Sequence, residues 1–361
     1  MPKKSTPILN IHNLNMVFGE EAFTLKNINN IEINRGEIVG VLGESGCGKT
    51  TFGKCLIGLI NHRDMTRFGI TSMSGNDLDS KIEYLHHPQI FKSNNILNGT
   101  KKELLEYRKH VQMIFQQPRA SLNMNMPVRK ILEESVRIDD PNINPKSLEE
   151  RIEKLADRFE LGGSNWERIA KLKPKKLSGG ERRRVGIAKV FAVNPDIIIA
   201  DEPVASLDVS VRGKIIDALY KEWEIRYKQW ESGERENPLT IIIISHDYNL
   251  IQSLAHKVLV FYGDVHVKRG TIVDYYLTSE STKNGRHKKH PYSQKLESDS
   301  KFMVDPNLDE FETDLPNNRG SRIITKGCIY INNCPVASEA CSGAVASEWN
   351  YSSSDDMPCR K

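Results

Sequence analysis

Short unbroken apolar runs alternate along this chain with stretches whose apolar residues recur every three or four positions. Ile38–Leu42 in "GEIVGVLGESG", residues 197–199 in "NPDIIIADEP" and the run in "PLTIIIISHD" are each only a few residues long. Runs of this length without polar alternation predict strands covered on both faces. Helical spacing follows the first run, where Phe52, Leu56 and Leu59 surround Cys55. It returns in "KLSGGERRRVGIAKVFAV", where Val185, Ala188 and Ala192 share a face. A third helix is expected in "NINPKSLEERIEKLADRFEL", with Leu148, Ile152, Leu155 and Phe159 on one side and Ser147/Glu150 at capping-box spacing. Strands interleaved with helices predict an α/β fold. No apolar run approaches the roughly 18 residues that a membrane crossing needs, so no span is expected.

With 361 residues, 38% hydrophobic and 27% charged, the chain has enough apolar material for a full core and for two or three structural units. Its net charge of +4 is too small and too evenly spread to argue for nucleic acid, and none is expected as a partner. The one basic excess, "STKNGRHKKHPYSQK", reads as a solvated connector, with contact to a membrane or partner as the alternative. No apolar segment follows the lysines of "MPKKSTPILN", so no secretory signal is expected and the thiols read as cytosolic and reduced. Four of the six cysteines nonetheless crowd into the last segment, at Cys328, Cys334, Cys341 and Cys359.

The strongest local signal lies after the first run. Gly43, Glu44, Ser45, Gly46, Cys47, Gly48, Lys49 and Thr50 satisfy G-x-x-x-x-G-K-[ST], with Thr51 next in the helix. The glycines let backbone amides converge on phosphate oxygens, and the new helix presents unpaired N–H groups and the positive end of its dipole. Lys49 reaches the outer phosphates, and Thr50 offers a hydroxyl to Mg²⁺. Cys47 is either a tolerated small residue or a thiol whose alkylation would block nucleotide entry. A phosphate cradle needs a magnesium carboxylate and a group that positions water. Asp201 and Glu202, at the end of the run 197–199, are suited to these two roles.

"LSGGE", Leu177, Ser178, Gly179, Gly180 and Glu181, resembles the signature of ATP-binding cassette (ABC) proteins, and other pieces agree. "MIFQQP" puts Gln116 at the Q-loop position, where it would join Thr50 and Asp201 around Mg²⁺. "ASLD" puts Ser206, Leu207 and Asp208 at the D-loop, and "IIIISHD" puts His246 at the switch-histidine position. Phe18 matches the aromatic that stacks on adenine, with Phe23 close by. Glu181 stands where glutamine is commonest. The resemblance implies a P-loop ABC nucleotide-binding domain over residues 1–278, with a RecA-like core, an antiparallel β subdomain and an α-helical subdomain at about 111–186. It also implies that ATP is shared between the P-loop of one cassette and the signature of another, with Lys49, Gln116, Glu202 and His246 serving hydrolysis.

"GESGCGKTT", "QMIFQQPRASLNMNMPV" and "ADEPVASLDVSV" resemble the ATP-binding subunits of bacterial oligopeptide and dipeptide importers, and among these the F-type subunit of oligopeptide systems. "HPYSQKL" and "GCIYINNCPVASEAC" resemble segments that follow the cassette there, giving a small Cys-rich C-terminal extension at 279–361. The partners this implies are a second ATPase subunit in a heterodimer, two transmembrane permeases and an extracytoplasmic peptide-binding protein, with this chain peripheral on the cytoplasmic face of a bacterial membrane. Two polar stretches, 81–98 and 222–238, look inserted and read as surface loops or helix extensions. A nickel or other solute importer and a soluble non-transport cassette ATPase are the alternatives.

The segment from Cys328 onward is too short and polar to fold without a staple. A disulfide, worth roughly 2–4 kcal/mol, is disfavoured in a reducing compartment, whereas a metal centre can contribute on the order of 10 kcal/mol. Intervening lengths of 5, 6 and 17 residues fit neither the usual zinc pairs nor the bacterial ferredoxin run. Spacing leaves the metal open, with zinc and idle thiols both remaining. The importer resemblance implies a [4Fe–4S] cluster on the four cysteines.

Overall fold

A computed structural model describes residues 6–19, 24–75, 78–205, 207, 209–264, 268–279, 289–304, 328–330, 333–335 and 341. The chain divides into two compact units, one of residues 1–100 with 244–361 and the other of residues 101–243.

Among the described residues the first unit holds two main sheets and a two-stranded ribbon of Ser74–Gly75 with Leu78–Asp79. In the smaller, Pro7–His12 lies between Ile31–Asn34 and Lys81–Tyr84, antiparallel to both. In the larger, Ile38–Leu42 runs parallel to Lys257–Asp264, which pairs antiparallel with Arg269–Leu277. Thr24–Ile28, Leu14–Phe18 and Ile70–Ser72 continue it in that order, so the sheet is mixed. All five residues of Ile38–Leu42 are buried, as an unbroken apolar run requires. Helix Tyr248–Leu254 packs so closely on this strand that a β-carbon at Gly40 would lie 2.4 Å from Ile251 Cγ2.

In the second unit Val111–Ile114 pairs parallel with Ile197–Asp201, with Val111 opposite Ile197. Helices Val128–Asp139, Pro145–Arg158 and Gly179–Ala192 pack together beside them. Leu148, Ile152, Leu155 and Phe159 are buried, as the helical spacing requires. The expected Ser147/Glu150 box is not the start of that helix. Pro145 occupies the first turn with its φ already helical, and Asn144 before it accepts the Ser147 amide at 2.9 Å.

The two polar insertions differ from each other. The stretch 222–238 begins as an extension of helix Val209–Glu231, in which buried Arg226 donates to Glu222 at 2.7 Å and to the Pro195 carbonyl at 3.0 Å. The stretch 81–98 is not a surface loop. It contributes the third strand of the small sheet and buries Ile82, Tyr84, Phe91, Ile96 and Leu97. Asn95 organises it, accepting the amides of Ile82 and Leu97 and donating to the Ser80 carbonyl at 3.0 Å. Among the described residues no helix is long and apolar enough to cross a membrane.

Candidate functional site

The turn after Ile38–Leu42 is built around glycine. At Gly43, with φ +154°, a β-carbon would lie 2.2 Å from the Phe261 carbonyl oxygen, so a side chain there would collide with backbone. Gly48 takes φ +106° and, having no side chain, starts helix Lys49–Leu56 without a side-chain cap. Thr50 and Thr51 stand in that first turn. Lys49, 6% exposed, folds back so that its Nζ donates to the Gly43 carbonyl at 2.7 Å and the Glu44 carbonyl at 2.8 Å. The ammonium thus sits inside the glycine turn at the start of the helix, the setting in which such a loop binds a polyphosphate.

Cys47 lies 3.8 Å from Lys49 Nζ and is buried. Burial pushes its thiol up and outweighs the opposing pull of Lys49. From outside the loop, the hydroxyl of Tyr292 accepts the Glu44 amide at 3.3 Å. In the same unit Phe18 ends its strand half-buried, and Phe23 lies outside the described residues. His246 is exposed just beyond strand Thr240–Ser245. Its neighbour Asp247 is fixed, its amide donating to Ser245 Oγ and its carboxylate accepting the Leu250 amide, each at 3.0 Å.

In the second unit Asp201, 2% exposed, ends strand Ile197–Asp201, and half-buried Glu202 follows in the left-handed region at φ 47°. That unfavourable conformation is held by a residue that the sequence reading did not single out. Buried Arg183, on helix Gly179–Ala192, donates to the carbonyls of Pro203 (2.7 Å), Phe115 (3.1 Å), Gln116 and Glu202. One guanidinium therefore clasps the segments that carry Gln116 and Glu202. Burial draws its pKa down, against the nearby charges of Asp201 and Glu202.

The signature helix begins with a complete capping box. Ser178 Oγ accepts the Glu181 amide at 3.1 Å, and the Glu181 carboxylate accepts the Ser178 amide at 2.9 Å. Glu181 also pairs with Arg168. Burial pushes its carboxyl up, but the Ser178 amide and Arg168 outweigh that and hold it below the usual range. A glutamate thus does here the capping work that glutamine could do. Leu177 is buried beneath, while Ser178 and Gly179 are exposed. Leu207 is described, with its carbonyl accepting from Arg212, whereas Ser206 and Asp208 lie outside the described residues.

The terminal thiols form a second chemical cluster. Cys328, Cys334 and Cys341 are each 6% exposed, and Cys359 lies outside the described residues. The Cys328 amide donates to the Cys341 carbonyl at 3.0 Å, which sets the two side by side. Tyr330 packs against Tyr262, Tyr292 and His290, and Asn333 donates to the Tyr262 hydroxyl at 2.9 Å. The segment is thereby moored to the start of helix Pro291–Val304, where buried Asp274 accepts the His290 amide at 2.9 Å and the Ser293 hydroxyl at 2.6 Å. Among the described residues, no three thiol or imidazole ligand atoms here lie within 4.8 Å of one another. The three described thiols are soft, buried donors, the ligand type that soft metal centres take.

A family model described as ABC transporter matches residues 25–205. The oligopeptide transport ATP-binding protein OppF of Salmonella typhimurium is 30% identical over 333 residues, covering 90% of this chain and 85% of that protein. OppF of Haemophilus influenzae is 28% identical over 358 residues, 97% of this chain and 93% of that one. Among solved structures, the ATP-binding cassette MJ0796, dimeric with ADP and Pi, gives a TM-score of 0.54 at 22% identity over 75% of this chain and 98% of that one. The cbiO1 subunit from Clostridium perfringens gives 0.54 at 21% identity over 83% and 96%. These two structures establish the cassette fold alone. With half its length matched by the family model and OppF relatives matched nearly end to end, the chain belongs to the ABC transporter family, among its OppF-like ATP-binding subunits.

Proposed function

We propose that this chain binds and hydrolyses ATP to power oligopeptide or dipeptide import through a multi-subunit transporter. The observation that carries the reading is the prepared phosphate cradle, with Lys49 buried against the Gly43 and Glu44 carbonyls at the mouth of a helix without a side-chain cap, in a chain similar to OppF proteins over nine-tenths of its length. Phe18 stacks on the base, residues 43–51 hold the phosphates, and Glu202 positions the attacking water, with Gln116 and His246 reporting loss of the γ-phosphate. Thr50, Gln116 and Asp201 would hold Mg²⁺, which supplies neutralisation of phosphate charge.

Ser178 and the amides of Gly179 and Gly180 meet a nucleotide held by a second cassette chain, with residues 206–208 at the same junction. The working assembly then contains a different ATPase subunit, two permeases and an extracytoplasmic binding protein, with this chain on the cytoplasmic face. The cassette occupies 1–278. The extension 279–361 carries a [4Fe–4S] cluster on Cys328, Cys334, Cys341 and Cys359, supported by the burial of the three described thiols.

In the assembled transporter, Lys49→Ala abolishes Mg·ATP binding and uptake of a labelled tripeptide, whereas Glu202→Gln keeps binding and stops turnover. Undiminished uptake by the Lys49 variant overturns the reading.

A further inference from the structure

We infer that His290 donates a hydrogen bond to the sulfur of Cys328 and is not itself a metal ligand; the inference rests on the cluster reading of the terminal thiols. His290 precedes helix Pro291–Val304 and is 1% exposed. It is the N-terminal cap of that helix, its carbonyl accepting the Gln294 amide at 3.1 Å and its Nδ1 accepting the Tyr292 amide at 3.2 Å. A backbone amide can only donate, so Nδ1 carries no proton and the single ring proton sits on Nε2. Nε2 lies 3.6 Å from Cys328 Sγ, both groups being buried. A metal-ligating imidazole needs a bare nitrogen at the metal. Here the nitrogen that faces the thiol segment carries the proton, and the bare one is committed to the cap.

The ring is fixed in this sense from several sides. Asp274 holds the His290 amide and the Ser293 hydroxyl, and the Tyr330 ring lies 5.6 Å away at 60° to the imidazole. Turning the ring over would break the cap and the contact with sulfur together. An N–H···S bond withdraws charge from a cluster sulfur and favours the reduced cluster. The "HPY" histidine thus belongs to the terminal centre, although it lies 38 positions before Cys328.

Two substitutions separate the roles of the ring. His290→Asn retains a capping oxygen for the Tyr292 amide but is too short to reach the sulfur. His290→Gln carries its N–H near the position of Nε2. The full-length chain and both variants are purified without oxygen, assayed for iron and acid-labile sulfide, and titrated with dithionite while visible absorption is followed. All three are expected to hold equal iron and sulfide. His290→Asn is expected to be about tenfold harder to reduce, a shift of about 59 mV to more negative potential for one electron, and His290→Gln is expected to lie close to the original chain. Loss of iron from His290→Asn alone would make the histidine a ligand and overturn the inference, as would an unchanged potential. A starting chain with neither iron nor sulfide would instead remove the cluster reading itself.

Discussion

Arg183→Met tests whether the clasp on the Gln116 and Glu202 segments matters for catalysis. Methionine replaces the length of arginine with apolar volume and removes all four bonds to the carbonyls of Phe115, Gln116, Glu202 and Pro203. Each bond to a charged donor is worth roughly 1.5–3 kcal/mol, but the four share one group, and burying that charge costs several kcal/mol, so a net loss of about 3 kcal/mol is expected. At 2–4 °C per kcal/mol, the melting temperature should fall by about 6 °C or somewhat more. The larger effect falls on turnover. Glu202 loses the bond that holds its left-handed backbone, and a displacement of about 1 Å at a reacting group costs about 100-fold in rate. Phosphate release should therefore drop by about two orders of magnitude, while nucleotide affinity, set by the glycine loop, changes by less than about threefold. Arg183→Lys keeps the charge without the planar fork and should fall between the two. A methionine variant that turns over normally would refute the clasp.

Tyr292→Phe removes the acceptor of the Glu44 amide; a loss of about 1 kcal/mol predicts about fivefold weaker Mg·ATP binding by titration calorimetry, and unchanged binding would free the loop from this hydroxyl. Cys47 is buried and its thiol is pushed up, so the thiolate forms only at alkaline pH. Alkylation followed by mass spectrometry should be slow at pH 7 and should rise as pH increases. Glu297 is held down to about 2, because hydrogen bonds from Lys289 and Lys301 outweigh the opposing effect of burial. A depressed carboxylate contributes stability above its ordinary value of 4.5 and loses it as pH falls from there towards about 2. Since the pair is partly solvent-screened, Glu297→Gln should cost about 1 kcal/mol at pH 7 and flatten the acid limb of the stability curve.

The contiguous motifs were legible because their geometry is local. Residues 43–50 are readable because glycine alone allows that turn, and Ser178 to Glu181 because a cap spans three positions. Arg183 was not legible, since its partners are carbonyls 19 to 68 positions away and any residue carries a carbonyl. The strand Lys81–Tyr84 escaped for a related reason. Its polar residues looked like a loop until Pro7–His12 supplied the partner edge. The cap of helix Pro145–Arg158 was misread by three positions, because Ser147 and Glu150 have the right spacing but the proline before them had already begun the helix. The role of His290 needed the fold as well, since no spacing rule links it to Cys328 across 38 positions.

The Glu44 amide and the hydroxyl that receives it are separated by 248 positions, and Tyr330, which packs beside that hydroxyl, is translated later still. A ribosome makes the glycine turn 248 positions before its outer brace. A copy cut short by premature termination, or clipped between the two, would keep every nucleotide-binding motif yet lack that brace. Synthesis as far as residue 292 is therefore inscribed beside the cradle, where a chain that carries the brace differs from one that lacks it before any partner has been met.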